Sequence, residues 1–355
     1  MAQVTGVSSI NDLIKVRFQS AAEWGLDTIE RVLRADLAAH NQIVSELVSE
    51  MCEVTSDRQR IYGTSADGDM QEVDEYSKAP TQRNLTGATV GFPLRAFQYN
   101  IGWTERYFRR ATPADMAATV LAAEKAHLRS IQLQIKKAIF LSSNYTFNDF
   151  LVDKVDLFVK RFLNADGNNI PDGPNGETYD GTTHTHYTAN NGWDSTTLLA
   201  AVNNVIEHGH GGNVILAINK ANEIAVRGLS GFVSYIDPRV SIPGGATTGV
   251  PGKRLDVSRL DNRAIGIFGG AEVWVKPWCL TNYAFIWDSA APGKPLAFRQ
   301  ETDSTLQGLR IAAENPDYPL YARLMDTSFG VGVWTRTNGA CYFAGSGTWA
   351  DPTIS

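Results

Sequence analysis

Two His-x-His pairs are the residues of this sequence whose types and spacing could bind a metal ion. They are His184-Thr185-His186 and His208-Gly209-His210, and they hold four of the six histidines. On a strand, side chains two residues apart point the same way, so each pair could present two imidazoles to one ion. However, His208 and His210 flank a predicted helix end, and no HExxH-type motif accompanies them. The pairs therefore stay an alternative metal set, and the favoured interpretation assigns no catalytic, cofactor-binding or metal-binding residue.

The remaining sequence contains no further pattern that is typical of a catalytic centre. Its glycine-rich segments match neither a phosphate loop nor a dinucleotide fingerprint, and there is no GxSxG motif. Cys52, Cys279 and Cys341 are isolated, which predicts buried free thiols in a reducing compartment. A formal net charge of −6 argues against nucleic-acid binding as the main activity, because binding phosphates requires clustered cations.

The histidine pairs lie in a predicted α+β unit in the middle of the chain. A loop rich in Gly, Asn and Pro, residues 164–192, carries the first pair. Asp194 is the predicted N-cap of a helix that ends at Gly209, so the second pair lies at its C-terminal end. An apolar strand at residues 214–218 and a short helix at 220–229 follow.

A long helix is predicted before this unit. Thr112 is the predicted N-cap, followed by a proline and an acidic residue in the first turn. Apolar residues then recur at every third or fourth position along one face. A helix from residue 113 to about residue 141 would span on the order of 40 Å and act as a structural spine. His127 lies on its apolar face and is predicted to be a core or interface histidine rather than a ligand.

The segment of residues 56–110 is predicted to be an extended loop that needs a partner. Apolar residues alternate from Val90 to Leu94, and the alternation resumes one phase later at residue 97. Such a strand must bury one face, and the flanking sequence is too polar to supply a core. A two-stranded arm covered by another subunit is therefore predicted, with a bulge or twist at the phase change. The predicted subunit contacts are Lys78, Arg83, Phe92, Phe97, Tyr99 and Trp103.

Both ends of the chain show regular patterns. Apolar spacing over residues 8–53 predicts amphipathic helices that pack on another subunit or on their own. The C-terminal third predicts strands, with hairpin turns at Gly269-Gly270 and at Asn338-Gly339. The sequence shows no signal-peptide pattern and no apolar run near the ~20 residues of a membrane helix, which predicts synthesis in the cytoplasm and no membrane partner.

One loop and several late strands have recognisable local sequences. These are Asn164-Ala165-Asp166-Gly167, Pro174-Asn175-Gly176-Glu177-Thr178, Thr183-His184-Thr185-His186-Tyr187, Gly266-Ile267, Val273-Trp274-Val275, Tyr283-Ala284-Phe285-Ile286 and Pro295-Leu296-Ala297. With the order of helical arm, extended loop, spine helix, α+β unit and β-rich return, they make the chain resemble the major capsid proteins of tailed bacteriophages. The resemblance covers nearly the whole chain.

The resemblance implies an α+β architecture of the Hong Kong 97 type with five parts. These are an N-terminal helical arm at residues 1–55, an extended β-loop at 56–110, a peripheral domain with the spine helix at 111–189, an axial domain at 190–290, and a return to the peripheral domain at 291–355. The extended loop would lie across a neighbouring subunit.

The resemblance also implies a function and a set of partners. The chain would be a non-enzymatic shell protein without a cofactor, forming pentamers and hexamers that close into an icosahedral capsid around double-stranded DNA. It would contact that DNA weakly on the inner face. A separate scaffolding protein is expected instead of a cleaved N-terminal one, together with a portal and, as a further candidate, a decoration protein. The expected location is the virion capsid, assembled in the host cytoplasm.

Three alternatives compete with this interpretation. An encapsulin-like nanocompartment shell would share the architecture, but such chains are generally shorter and the long loops favour a phage capsid. A histidine-metal enzyme would use His184, His186, His208 and His210. A phage tail component would also be rich in strands, but the spine helix and the helix–strand–helix unit argue against it.

Overall fold

The computed structural model describes residues 9–16, 24, 26–64, 70–81, 86–108, 110–237, 249–315 and 320–354. Helices in this part of the chain are α1 (Ile10–Lys15), α2 (Leu26–Ser49), α3 (Glu105–Phe108), α4 (Pro113–Phe140), α5 (Ser195–Ile206) and α6 (Glu223–Arg227). Short 3-10 turns occur at Lys220–Asn222 and Ser304–Leu306. None of the described helices combines the length and the apolar character that a membrane span requires.

The spine helix α4 is confirmed and contains 28 residues, which corresponds to about 42 Å. Thr112 caps it, since the Thr112 hydroxyl accepts a hydrogen bond from the backbone N–H of Asp115, and the Asp115 carboxylate accepts one from the backbone N–H of Thr112 in return. This reciprocal cap satisfies backbone donors that the first turn leaves free. The predicted start of the helix therefore has a local physical cause.

The N-terminal helices pack on the body of their own chain. Side chains of α1 and α2 meet the first half of α4 in one apolar cluster, formed by Ile10, Leu13, Ile29, Val32, Leu33, Met116, Ala117 and Val120. Of the two predicted alternatives for these helices, the structure thus shows contact within the chain. Burying a large aliphatic side chain contributes about 1.5–3 kcal/mol, so this cluster holds the arm firmly.

The strands, in chain order, have the following bounds. They are β1 (Cys52–Thr55), β2 (Gln59–Tyr62), β3 (Ala88–Gly91), β4 (Arg95–Thr104), β5 (Tyr145–Asn148), β6 (Asp156–Val159), β7 (Tyr187–Ala189), β8 (Val214–Ile218), β9 (Phe232–Ile236), β10 (Gly249–Arg254), β11 (Arg263–Phe268), β12 (Ala271–Val275), β13 (Tyr283–Asp288), β14 (Leu296–Gln300), β15 (Arg310–Asn315), β16 (Leu320–Val333) and β17 (Ala340–Phe343).

A five-stranded sheet lies against the spine helix. Its order is β1-β14-β16-β15, and β4 pairs with the first part of the long strand β16. The C-terminal half of α4 packs Ile131 and Ile135 into an apolar cluster with Phe329 and Val331 of β16. Two separate antiparallel pairs, β2–β3 and β5–β6, complete the described strands on this side.

An eight-stranded sheet forms the second body of strands, in the order β10-β9-β11-β12-β8-β13-β17-β7. Its centre is apolar on both faces, as the fully buried strand β8 shows. Helix α5 covers one face with Leu198, Ala201, Val202 and Val205. The predicted hairpin through Gly269-Gly270 is confirmed as β11–β12, and β8, α5 and α6 lie where the sequence predicts them.

The extended loop departs from its prediction in one respect, because its apolar strand has a core in its own chain. Strand β4 pairs along its whole length with β16, more than two hundred residues later. Ile101 is buried beside Leu37, Ala123 and Met325, which come from three other elements. The polar flanking sequence gave no sign of this core because all of its members are distant in the chain.

The Asn338-Gly339 turn is a second correction. The chain does turn there, with the backbone N–H of Asn338 donating to the carbonyl of Thr335 at 3.0 Å. However, β16 belongs to the five-stranded sheet, whereas β17 pairs with β13 and β7 in the eight-stranded sheet. The turn therefore carries the chain from one sheet to the other and is not a hairpin.

Candidate functional site

The base of the extended loop is the β2–β3 pair, which joins Gln59–Tyr62 to Ala88–Gly91. Arg60 anchors this pair to the body of the protein. Its guanidinium donates to carboxylate oxygens of Asp57 and Glu53 at 2.7 and 2.9 Å, and it lies over the ring of Trp334 at 4.9 Å. The loop therefore leaves the body from a two-stranded base that is held at a fixed point.

The phase change between the two apolar runs is a break between strands, not a bulge. Strand β3 ends at Gly91 and β4 begins at Arg95, so residues 92–94 connect two different sheets. Arg299 holds this connection, since it donates to the carbonyl of Phe92 at 2.8 Å and to the carboxylate of Asp149 at 2.9 Å. Arg299 and Asp149 are both buried, so losing either would leave an uncompensated charge.

The predicted contact residues fall into different environments. Lys78 is exposed, whereas Arg83 lies outside the described residues. Phe97 is half-buried and stacks on Phe329 with ring centroids 4.7 Å apart, and Tyr99 is also half-buried. Trp103 lies on β4 opposite Tyr321. Among those of these side chains that the structure describes, Lys78 is the exposed one.

Phe92 is a correction to the predicted contact set. Its side chain is fully buried, and it packs with Val90, Ala297 and the ring of Trp334. It therefore supports the connection between β3 and β4 from inside the molecule and is closed to a neighbouring subunit.

The described part of the loop beyond its base exposes apolar side chains. Residues 70–81 are all exposed and contain no helix or strand. Met70 is fully exposed and Tyr76 is 93% exposed. Single exposed apolar residues are common, but two such side chains on one projecting segment fit a surface that another molecule covers.

A histidine cluster is the second candidate site, and it consists of His184, His186, Glu207 and His208. One ligand atom from each of these residues lies within 4.8 Å of the other three. Nε2 of His184 is 3.2 Å from Nε2 of His208 and 3.3 Å from Oε1 of Glu207. His184 and His186 precede β7, and the other two residues follow the last turn of α5. The structure thus brings together three of the four predicted histidines.

The surroundings fix the rings of the cluster. Nδ1 of His186 is 2.8 Å from the carbonyl of Gly339, so that nitrogen carries the proton and donates it. Nε2 of the same ring is then unprotonated, and it is buried without a hydrogen-bond partner in the described structure. The ring of Tyr179 covers His184 and His208 at centroid distances of 4.9 and 4.2 Å.

The electrostatics of the cluster keep its imidazoles neutral. Burial, followed by the nearness of His184 and His210, lowers the pKa of His208 to about 3. Burial also lowers the pKa of His184, and it lowers that of His186 well below its ordinary value. Burial raises the pKa of Glu207. The unprotonated nitrogen of a neutral imidazole has a lone pair that can bind a metal ion. The cluster therefore offers lone pairs for coordination and carries no positive charge on its rings.

The cluster differs from the alternative set of four histidines in one member, with Glu207 in place of His210. His210 points elsewhere, with its Nε2 2.9 Å from the hydroxyl of Thr337. Glu207 takes the fourth place, although it is absent from the predicted set. Its position beside His208 at the helix end was the available signal, because a carboxylate is an ordinary partner of imidazoles around a metal ion.

A spine histidine pair, His40 and His127, is also buried. Nε2 of His40 is 3.0 Å from Nδ1 of His127, which links α2 to α4. Burial, with a contribution from Asp36 nearby, raises the pKa of Glu124 to about 7. His127 is thus the core histidine that the sequence predicts, and its partner is another histidine.

Comparison with known proteins shows the fold of the chain. No protein-family model and no curated protein matches the sequence. A chain in a solved structure of Mycobacterium phage Patience is similar, with 20% identity and a TM-score of 0.69, over 98% of this chain and 95% of that chain. This similarity shows that both chains share one fold over nearly their full lengths.

Two further similarities are weaker. A chain in the capsid structure of the cyanophage P-SCSP1u has 9% identity and a TM-score of 0.48, over 84% of this chain and 87% of that chain. A chain in the capsid of a native GTA particle has 13% identity and a TM-score of 0.47, over 83% and 89%. Neither is needed to establish the shared fold.

Proposed function

We propose that this chain, which has the Hong Kong 97 fold that its sequence predicts, is the major capsid protein of a tailed bacteriophage. It assembles as pentamers and hexamers into an icosahedral shell that encloses double-stranded DNA, and its role is structural. The observation that supports this proposal most is the full-length similarity to the chain from Mycobacterium phage Patience, at a TM-score of 0.69.

The extended loop supports the same proposal through its physical character. It leaves the body from an anchored base, at Arg60 and Arg299, and then exposes Met70, Tyr76 and Lys78. A segment of this kind gains little from its own chain, but it gains buried area when a neighbouring subunit covers it. We assign Lys78, Tyr76 and Met70 to that subunit contact.

The five predicted parts become a proposal for how a subunit is organised in the shell. The spine helix α4 and the five-stranded sheet form the peripheral domain, and the eight-stranded sheet with α5 forms the axial domain around the capsomer centre. In this assignment β17, at Ala340–Phe343, joins the axial domain and extends it beyond residues 190–290.

The partners follow from the shell. The chain binds copies of itself, a separate scaffolding protein during assembly, a portal and, as a further candidate, a decoration protein. Its formal net charge of −6 fits a weak contact with the packaged DNA rather than tight binding. The shell assembles in the host cytoplasm and remains as the virion capsid.

Electron microscopy of the purified chain tests the proposal. Closed icosahedral particles or hexamer sheets are expected, and a discrete monomer would contradict it. The content of closed particles separates the alternatives, since nucleic acid fits a phage capsid whereas a protein cargo fits an encapsulin-like compartment.

Deletion of residues 67–83 tests the role of the extended loop. We expect folded subunits that fail to form stable shells, measured by circular dichroism and by sedimentation of particles. A matched variant replaces the same residues with a Gly/Ser linker of equal length, which preserves reach and removes the side chains. Normal shells from the linker variant would show that Tyr76 and Lys78 make no needed contact.

A further inference from the structure

We propose that His184, His186, His208 and Glu207 form a structural zinc site with three imidazole nitrogens and one carboxylate oxygen as ligands. The site lies within one subunit, so it does not depend on assembly or on the proposed function. It joins the segment before β7 to the C-terminal end of α5.

The first argument is the spacing of the ligand atoms. Two ligand atoms bound to a tetrahedral zinc ion at about 2.0–2.1 Å are about 3.3 Å apart. Nε2 of His184 is 3.2 Å from Nε2 of His208 and 3.3 Å from Oε1 of Glu207, while Nε2 of His208 is 3.8 Å from that oxygen. These three distances are within about 0.5 Å of the edges of a coordination tetrahedron, and the ligand atom of His186 lies within 4.8 Å of the other three.

The second argument is the set of polar atoms left without partners. Nε2 of His186 is buried and accepts no hydrogen bond among the described residues, and Oε1 of Glu207 is in the same position. Oε1 of Glu207 is near His184, but the geometry of the two groups does not make a hydrogen bond. An unpaired buried polar atom costs about 1–3 kcal/mol, so two in one cluster need a cause. A shared cation supplies that cause.

The third argument is the support behind His186. A metal-binding histidine commonly donates its second ring N–H to a backbone carbonyl, which fixes the tautomer and the direction of the ligand lone pair. His186 does this through Nδ1 to the carbonyl of Gly339 at 2.8 Å. The backbone on both sides is also fixed, since the N–H of His186 donates to Leu163 and the N–H of Cys341 donates to His186.

The donor set selects the ion and its role. Imidazole and one carboxylate suit zinc, whereas calcium and magnesium prefer sets made of oxygen. Four protein ligands close the tetrahedron and leave no place for a substrate or an activated water, so the site is structural and not catalytic. Tyr179 covers the cluster and limits access to it.

The content of zinc in the purified full-length chain is the main test. The protein is stripped with a chelator, dialysed against zinc sulfate, freed of excess metal and analysed by mass spectrometry for zinc per chain. We expect about one zinc ion per wild-type chain. His184→Ala and Glu207→Gln are expected to reduce the retained zinc at least about tenfold. Glu207→Gln preserves volume, so it decides the question if His184→Ala does not fold.

His210→Ala is the matched control, because His210 belongs to the same His-x-His pattern but bonds Thr337 instead of the cluster. It is expected to retain zinc like the wild type. Thermal unfolding gives an independent readout: zinc at about 100 times its Kd should raise the Tm of the wild type and of His210→Ala by about 4 °C and leave His184→Ala unchanged. Co²⁺ in place of zinc should give the visible absorption of a four-coordinate site.

Three results would overturn the proposal. The first is a wild-type chain that retains no zinc. The second is zinc retention by both His184→Ala and Glu207→Gln. The third is loss of zinc from His210→Ala, which would place the ion elsewhere.

Discussion

The histidine cluster and the spine histidine pair are both buried, but their nitrogen atoms face different partners. In the spine pair, His40 and His127 satisfy one another at 3.0 Å. In the cluster, Nε2 of His186 and Oε1 of Glu207 have no hydrogen-bond partner within the described structure, although they lie among other donor atoms. Burial is therefore common to both regions, and so is a contact between two rings, since Nε2 of His184 is 3.2 Å from Nε2 of His208. The difference is that, among the described residues, only the cluster contains an imidazole nitrogen that is buried and unpaired.

This difference teaches that two close histidines do not make a metal site by themselves. A hydrogen bond between two neutral imidazoles uses one N–H and one lone pair, and it leaves one N–H and one lone pair of the two rings for other partners. A site needs several lone pairs that converge, each held by a partner on the opposite side of its ring. The carbonyl of Gly339 is such a partner for His186. Among the described residues, no backbone carbonyl holds the ring of His127 in the same way.

Among the variants that compare the two regions, His186→Ala should cause the largest loss of unfolding free energy. The substitution removes a fully buried ring and leaves the carbonyl of Gly339 without its donor, which should cost about 3 kcal/mol of unfolding free energy without metal. The cost should increase by about 2–3 kcal/mol when zinc is present at about 100 times its Kd, because the variant loses the binding energy as well. Urea unfolding of dissociated subunits measures both values. If His186→Ala lost the same unfolding free energy with and without zinc, the cluster would be a buried histidine group that binds no zinc, like the spine pair.

The effect of Glu124→Gln on unfolding free energy should depend on pH, and this dependence distinguishes the spine region from the cluster. Asp36, His40 and His127 are the titratable groups that act there, and burial followed by Asp36 raises the pKa of Glu124 from 4.5 to about 7. The folded state therefore gains stability by holding the proton, and this gain is complete below pH 4.5 and lost as the pH rises through about 7.

The glutamine variant cannot lose that proton. Relative to wild type it should become more stable by about 2 kcal/mol between pH 4.5 and pH 8, as measured by urea unfolding of subunits at a series of pH values. Burial and His40 lower the pKa of His127 to about 4, but this histidine is present in both proteins and cancels in the difference. A difference that does not change with pH would show that Glu124 is ionised throughout.

A double-mutant cycle with His40→Ala and His127→Ala should give a smaller effect. The hydrogen bond between the rings predicts a coupling of about 1 kcal/mol in unfolding free energy. The coupling should be the same with zinc and with a chelator, since the described residues place no group of metal-ligating atoms around this pair. A coupling that changes with zinc would mean that the spine pair binds metal too.

His210→Ala should have the smallest effect, about 0.5 kcal/mol of unfolding free energy. Its partner Thr337 still accepts a hydrogen bond from the hydroxyl of Tyr62 at 2.8 Å, so the Thr337 side-chain oxygen keeps a partner. Thermal unfolding in zinc and in a chelator provides the measurement. A loss of several kcal/mol would reveal a role for His210 that its single contact does not explain.

Local signals explain which elements were predictable from the sequence. Thr112 and Asp194 act as helix caps within three residues of the groups they bond, so α4 and α5 begin where the pattern indicates. The turn at Gly269-Gly270 also depends on adjacent residues alone. The order of such elements is part of the resemblance that implies the α+β Hong Kong 97 fold, and this fold is confirmed.

Distant pairing explains what the sequence did not reveal. The partner of β4 is β16, and the residues of neither strand indicate that it pairs with the other. Asn338-Gly339 is a dipeptide typical of hairpin turns. However, pairing with distant strands decides which sheet each of the two flanking strands joins. In the histidine cluster, Glu207 joins because α5 ends opposite residue 184. His210 is excluded because Gly209, at a φ of 81°, redirects the chain between His208 and His210.

The ladder between β4 and β16 also determines how the subunit bears mechanical load. In the proposed shell, tension that a neighbouring subunit applied to the extended loop would enter the body next to Arg95, where β4 begins. Because the hydrogen bonds of an antiparallel pair are perpendicular to the strands, a pull along β4 stretches all of them together instead of opening them one by one. The strand therefore resists in shear, and the force passes through β16 and the turn at Asn338 into the eight-stranded sheet. A shell under pressure from inside would spread its strain over both sheets of each subunit.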